Sequence, residues 1–139
     1  MRVFLIVLTI FLYSVTAHAT GQTLKQKDLG GMEPSQALKY MKAAKDLVIV
    51  DVATKRWYAT NHFSSAVNIP IENISSNEAE ELYRRIPSGR PVLLHCRLGM
   101  IAPGAYQTLK RLRSDIPEIS YITGKPPFDE YNQWHEKHQ

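Results

Sequence analysis

Two spacings of apolar residues alternate along this chain. After Glu33-Pro34-Ser35, the residues Ala37, Leu38, Met41 and Ala44 recur at helical intervals, which predicts a helix to about Lys45 with proline in its first turn. Residues 47–52 then form an unbroken apolar run with Asp51 near its end, the pattern of a strand buried on both faces. Residues 54–62 suit a short helix or turn, and Ala66 to Pro70 a brief strand halted by the proline. Ser75 and Glu78 have capping-box spacing ahead of a helix from Glu78 to Arg85, and 87–90 reads as a turn. A second buried strand follows at 91–95. Ala102, Ala105 or Tyr106, Leu109 and Leu112 mark one face of a helix that begins near Ala102-Pro103. Residues 116–122 make a further strand closed by Gly124, and Phe128, Tyr131 and Trp134 lie on the inner face of a last helix.

Strands separated by helix-length segments imply parallel pairing, so the expected class is α/β: a mostly parallel sheet of about five strands with helices on both faces. No internal repeat, heptad run or low-complexity tract interrupts this order. The first 19 of the 139 residues stand apart. A basic start (Arg2), an apolar run over 3–12 and Ala17-His18-Ala19 match a cleavable export signal. The run is shorter than the roughly 20 residues that span a bilayer, and no lipid-accepting cysteine follows it. Residues 1–19 are therefore expected to be a signal peptide, 20–32 an N-terminal arm, and 33–139 the domain. Export would place the protein in the periplasm of a Gram-negative host, without a stable membrane anchor.

The formal charge of +4 is spread along the chain, and its densest group (Lys110, Arg111, Arg113) falls at a helix C-terminus, where the dipole accounts for it. Nothing here calls for nucleic acid. No His, Cys or acidic cluster has metal-ligand spacing and no glycine-rich nucleotide motif occurs, so no metal or cofactor is expected.

The single cysteine, Cys96, changes the picture. It has no partner for an internal disulfide, and in an oxidising compartment a lone thiol is either inert or kept for its reactivity. Its setting favours the second. Cys96 directly follows a buried strand and precedes a short loop and a helix start, the position where open parallel sheets bind ligands. Unpaired amides and the positive end of the helix dipole stabilise a thiolate there. Gly99 lets the loop curl so that several amides point one way. Two chemistries use such a pocket. A cysteine-dependent phosphatase needs Arg six positions after the cysteine to clamp phosphate, and Ala102 stands there instead. Sulfur transfer needs only the thiolate and a cradle of amides.

The segment Cys96-Arg97-Leu98-Gly99-Met100-Ile101 resembles the six-residue active loop of the rhodanese family, with Cys first and Gly fourth. Asp51-Val52, Tyr58, His62 and Ala66-Val67-Asn68-Ile69-Pro70 are similar to that family's first motif. Ile122-Thr123-Gly124 with Trp134 is similar to its closing one. The resemblance covers nearly all of 33–134. Ala53 replaces the arginine usual after Asp-Val, Asn61 and Ser65 replace glycines flanking the histidine, and Lys125 replaces a second glycine.

The resemblance implies a rhodanese-like fold and a thiosulfate sulfurtransferase-like activity. Sulfane sulfur would pass from a small anionic donor, thiosulfate or polysulfide, through a Cys96 persulfide to a thiol, to cyanide or to a protein acceptor. Cys96 is then the catalytic nucleophile, and Arg97, Leu98, Gly99, Met100, Ile101 and Ala102 form the substrate cradle. Arg97 either steers the donor or faces solvent. Asp51, His62 and His95 are expected as structural residues near the site, and Asp28/Glu33 and Glu80/Glu81 as solvated charges. Because Arg97 is the only cation in an otherwise apolar loop, the donor stays open. Two rivals remain: a weakly or non-catalytic binding or sensing domain, and a cysteine-dependent phosphatase or arsenate reductase.

Overall fold

The computed structural model of the chain describes residues 25–139; the expected signal peptide (1–19) and the first part of the arm (20–24) lie outside the described residues. The elements follow the order β1 (Lys27–Met32), α1 (Pro34–Ala43), β2 (Val48–Asp51), α2 (Lys55–Thr60), β3 (Val67–Asn68), α3 (Ser76–Arg84), β4 (Val92–His95), α4 (Ala102–Leu112), β5 (Glu118–Ile122) and α5 (Phe128–Glu136). The five strands form one all-parallel sheet in the order β1-β5-β4-β2-β3.

β2 and β4 lie inside this sheet and are buried at every position, as their unbroken apolar runs require. Their side chains alternate between two cores. Val48, Val50, Val92, Leu94 and Cys96 pack with α3 and α4, whereas Ile49 and Leu93 pack with Met41 of α1 and with Phe128 and Tyr131 of α5. Val50, Leu93 and Leu94 are wholly shielded, and each such side chain contributes roughly 1.5–3 kcal/mol relative to exposure. The α3 capping box forms as its spacing predicts: Ser75 Oγ accepts from the Glu78 amide, and Glu78 accepts from the Ser75 amide at 2.8 Å.

One boundary is corrected. The stretch read as an arm contains β1, whose residues pair with β5 from Lys27↔Glu118 to Met32↔Ile122 across a bulge between Asp28 and Gly30. The sheet thus begins at Lys27, six residues ahead of the expected domain start. Asp28 is also more than a solvated charge. Its carboxylate accepts from the Tyr106 hydroxyl and pairs with Lys110, tying the edge strand to α4. Gln26 Nε2 donates to the Arg113 carbonyl at 2.8 Å and fixes the start of the same strand.

Candidate active site around Cys96

β4 ends at His95, whose carbonyl accepts from the Val52 amide at 2.9 Å, and the chain leaves the sheet at Cys96. The thiol is unpaired and only 3 % exposed. Residues 97–101 bend back into α4, where Gly99 adopts φ +76°. A Cβ at Gly99 would lie 2.2 Å from the Gly124 nitrogen, so glycine is needed both for backbone angle and for close approach to the β5–α5 turn. α4 starts without a side-chain cap, and its second residue is Pro103. Among the described residues, no backbone carbonyl accepts from the amides of Arg97 to Ala102. These amides belong to the segment that follows Cys96 and leads into the N-terminal, positive end of the α4 dipole, while the Cys96 side chain itself packs in the core on the α3/α4 side.

Arg97 does not simply face solvent. Its guanidinium lies 3.6 Å from the centroid of the Trp57 ring on α2, a close cation–π stack. Cys96, Arg97, Leu98, Met100 and Ile101 together line a pocket of about 200 Å³, completed by Ala53, Trp57 and Glu72. Leu98 and Met100 are 58 % and 80 % exposed, unusual for large apolar side chains. Gly99 serves the loop's backbone path against Gly124, and the Ala102 side chain is wholly buried in the core on the α3/α4 side.

Asp51 and His95 are register partners at the ends of β2 and β4, on the sheet face opposite the core that Cys96 joins. Asp51 Oδ1 accepts from the Ala53 amide at 2.9 Å, while Asn68 Nδ2 donates to the Asp51 and Ala53 carbonyls. Burial pushes the Asp51 carboxyl up to about 6. The His95 ring is fully buried, meets Phe63 and Phe128 edge-on, and is pushed down to about 4 by the same desolvation. It is therefore neutral at pH 7. Its Nε2 has no hydrogen-bond partner among the described residues and stands 3.9 Å from Asp51 Oδ2, too far for a hydrogen bond. His62 stacks on Tyr58 at 4.1 Å, its Nδ1 is 2.7 Å from the Tyr58 carbonyl, and its own carbonyl accepts from Asn132. It belongs to the joint between α2 and α5.

A larger pocket of about 360 Å³ adjoins the first, sharing Ala53, Trp57, Arg97 and Leu98 with it and adding Asp51, Lys125 and Phe128. Sequence reasoning missed both Trp57 and this pocket, because the parts come from three segments (51–61, 97–98 and 125–128) that are well separated in the chain. Among the described residues no group of His, Cys and acidic side chains is arranged to hold a metal, and no helix is long and apolar enough to cross a membrane.

A model of the rhodanese-like domain matches residues 33–125. The chain belongs to the rhodanese-like family. Among solved structures, a Staphylococcus saprophyticus protein aligns with TM-score 0.56 and 17 % identity over 74 % of this chain and 93 % of its own. A rhodanese-related protein from Thermoplasma volcanium gives 0.55 and 17 %, over 77 % and 91 %. An As-Sb reductase from Leishmania major aligns at 0.53 and 10 % over 78 % and 79 %. An uncharacterised 16.5 kDa protein of Synechococcus elongatus is 29 % identical over 84 residues, 57 % of this chain; the match spans 56 % of that relative's length. The rhodanese-like domain is a fold of the sulfurtransferase type, and a fold alone does not fix the chemistry of its site.

Proposed function

We propose that this rhodanese-like protein is an exported sulfurtransferase that carries sulfane sulfur on Cys96. The observation that supports the reading best is the placement of Cys96: it follows the last residue of β4, lines a pocket, and adjoins loop amides that no backbone carbonyl of the described residues takes up. Such amides stabilise a sulfur anion, first the thiolate and then the terminal sulfur of a persulfide. Cys96 thiolate attacks the outer sulfur of a donor, a new S–S bond forms, the donor's own bond to that sulfur breaks, and the donor remnant leaves with the electron pair. An acceptor thiol or cyanide then attacks the outer persulfide sulfur and regenerates the Cys96 thiolate. No net redox change occurs.

Phosphatase chemistry fits this pocket less well, because a fully buried Ala102 stands where the clamping arginine would be required. The exposed Leu98 and Met100 beside the sulfur favour a protein among the acceptors, since exposed apolar side chains at a pocket mouth suit docking.

The test is intact mass spectrometry of the mature protein after incubation with thiosulfate, polysulfide or an organic persulfide. One added sulfur in the wild type, absent from Cys96→Ser, is the expected result. No adduct from any donor overturns the proposal.

A further inference from the structure

Resting on the sulfurtransferase reading, the geometry points to the larger pocket as the seat for the organic body of the substrate, and we propose that the substrate is an apolar, carboxylate-bearing organic persulfide. The small pocket at Cys96 is poorly suited to an inorganic dianion. Among the described residues that line it, the one cation, Arg97, is stacked on Trp57, and Glu72 in the same lining opposes negative charge. The adjoining pocket differs in size and lining. About 360 Å³ lies within the range of small-molecule sites, and Trp57, Leu98 and Phe128 give it apolar walls.

The two pockets adjoin, since Ala53, Trp57, Arg97 and Leu98 line both of them. Charge fixes the orientation of the occupant. Asp51 is 2 % exposed and closes the inner end, where an ionised carboxylate repels an anion; exposed Lys125 stands at the outer end. An elongated substrate therefore places its sulfur at Cys96, its apolar body against Trp57 and Phe128, and its carboxylate toward Lys125. In the transfer step Cys96 thiolate bonds to the outer sulfur of R–S–SH, the R–S to S bond breaks, and R–S⁻ departs with that electron pair. The proton stays on the transferred sulfur. No oxidant or reductant is consumed.

The experiment compares initial rates of Cys96 sulfur loading, read by intact mass, from thiosulfate, benzyl persulfide and the persulfide of 4-(mercaptomethyl)benzoate. The carboxylated aryl persulfide is expected to load fastest. Thr60→Trp, which fills the larger pocket from its exposed rim, is expected to lower the ratio of aryl-persulfide to thiosulfate rates by about tenfold. Lys125→Glu is expected to reduce the preference for the carboxylated over the uncharged aryl donor by about fivefold, the scale of one exposed ion pair. Unchanged ratios in both variants overturn the proposal. Binding of the unreactive S-methyl thioether of 4-(mercaptomethyl)benzoate, measured by calorimetry, separates the two levels of inference. If the thioether binds and Thr60→Trp abolishes binding while no donor loads Cys96, the pocket assignment stands and sulfur transfer fails. If the thioether does not bind, the pocket assignment fails whatever happens at the sulfur.

Discussion

Gly99→Ala is expected to cost far more than its single methyl group suggests. Two effects add. At φ +76° an L-residue loses roughly 1–2 kcal/mol against its preferred backbone angles. The new Cβ would also meet the Gly124 nitrogen at 2.2 Å, the Gly124 Cα at 3.0 Å and the Thr123 carbonyl carbon at 3.1 Å, all of them backbone atoms with no rotamer to yield. Relief requires the 97–101 loop and the 123–125 turn to separate, which adds roughly 1–3 kcal/mol of lost packing.

A total near 3 kcal/mol lowers the midpoint of thermal unfolding by about 10 °C in a domain of this size. Two other glycines calibrate the measurement. Gly89 has φ +71° with open space around its Cβ position, so Gly89→Ala reports the backbone term alone, about 1 kcal/mol. Gly104 lies inside α4 at an ordinary angle with nothing near, so Gly104→Ala is expected to stabilise by roughly 0.5–1 kcal/mol. Urea unfolding of the three variants, with sulfur loading of Cys96 as a second reading, gives the comparison. If Gly99→Ala falls within about 0.5 kcal/mol of Gly89→Ala, the loop and turn are not in contact and the reasoning is refuted.

The pH dependence of stability offers a further check. Raised Asp51 holds its proton more tightly in the native state, so its contribution is complete below the ordinary carboxyl value and is lost as pH rises through about 6. Depressed His95 does the opposite: its contribution is complete above about 6.5 and is lost as pH falls through about 4. Between about 4 and 6 the two slopes oppose, so Asp51→Asn is expected to unmask a rise in stability with pH of up to about 1.4 kcal/mol per unit, and a variant slope identical to wild type would contradict this. Ser75→Ala removes the α3 cap and is expected to cost about 1 kcal/mol in urea unfolding. Arg113→Ala leaves the buried Tyr83 carbonyl without its 2.7 Å donor and breaks the two-pronged contact with Asp115, for an expected loss of roughly 2 kcal/mol by the same assay.

What the sequence disclosed follows from the range of the interactions involved. β2 and β4 were legible because burial on both faces leaves an unbroken apolar run, and α3 because its capping box spans only three residues. β1 was not. Its Lys-Asp-Leu-Gly-Gly-Met sequence lies at the sheet edge, is bulged, and owes its extended form to pairing with a strand about 90 positions away. Cys96 stood out because strand, loop and helix start are adjacent in sequence. Trp57 did not, since nothing local says that Arg97 will lie on its ring, and the closeness of Gly99 to Gly124 depends on two turns meeting in space.

Because β1 runs parallel to its neighbours, it enters the sheet at the end opposite the one where Cys96 emerges, and Gln26 pins that entry to the far end of α4. Whatever is joined ahead of Lys25, a purification handle or a surface linker, attaches at the rear of the domain. Immobilised through that point, the protein would turn the strand ends that lead to Cys96 and the two hollows away from the support, a practical orientation for screening ligands from solution.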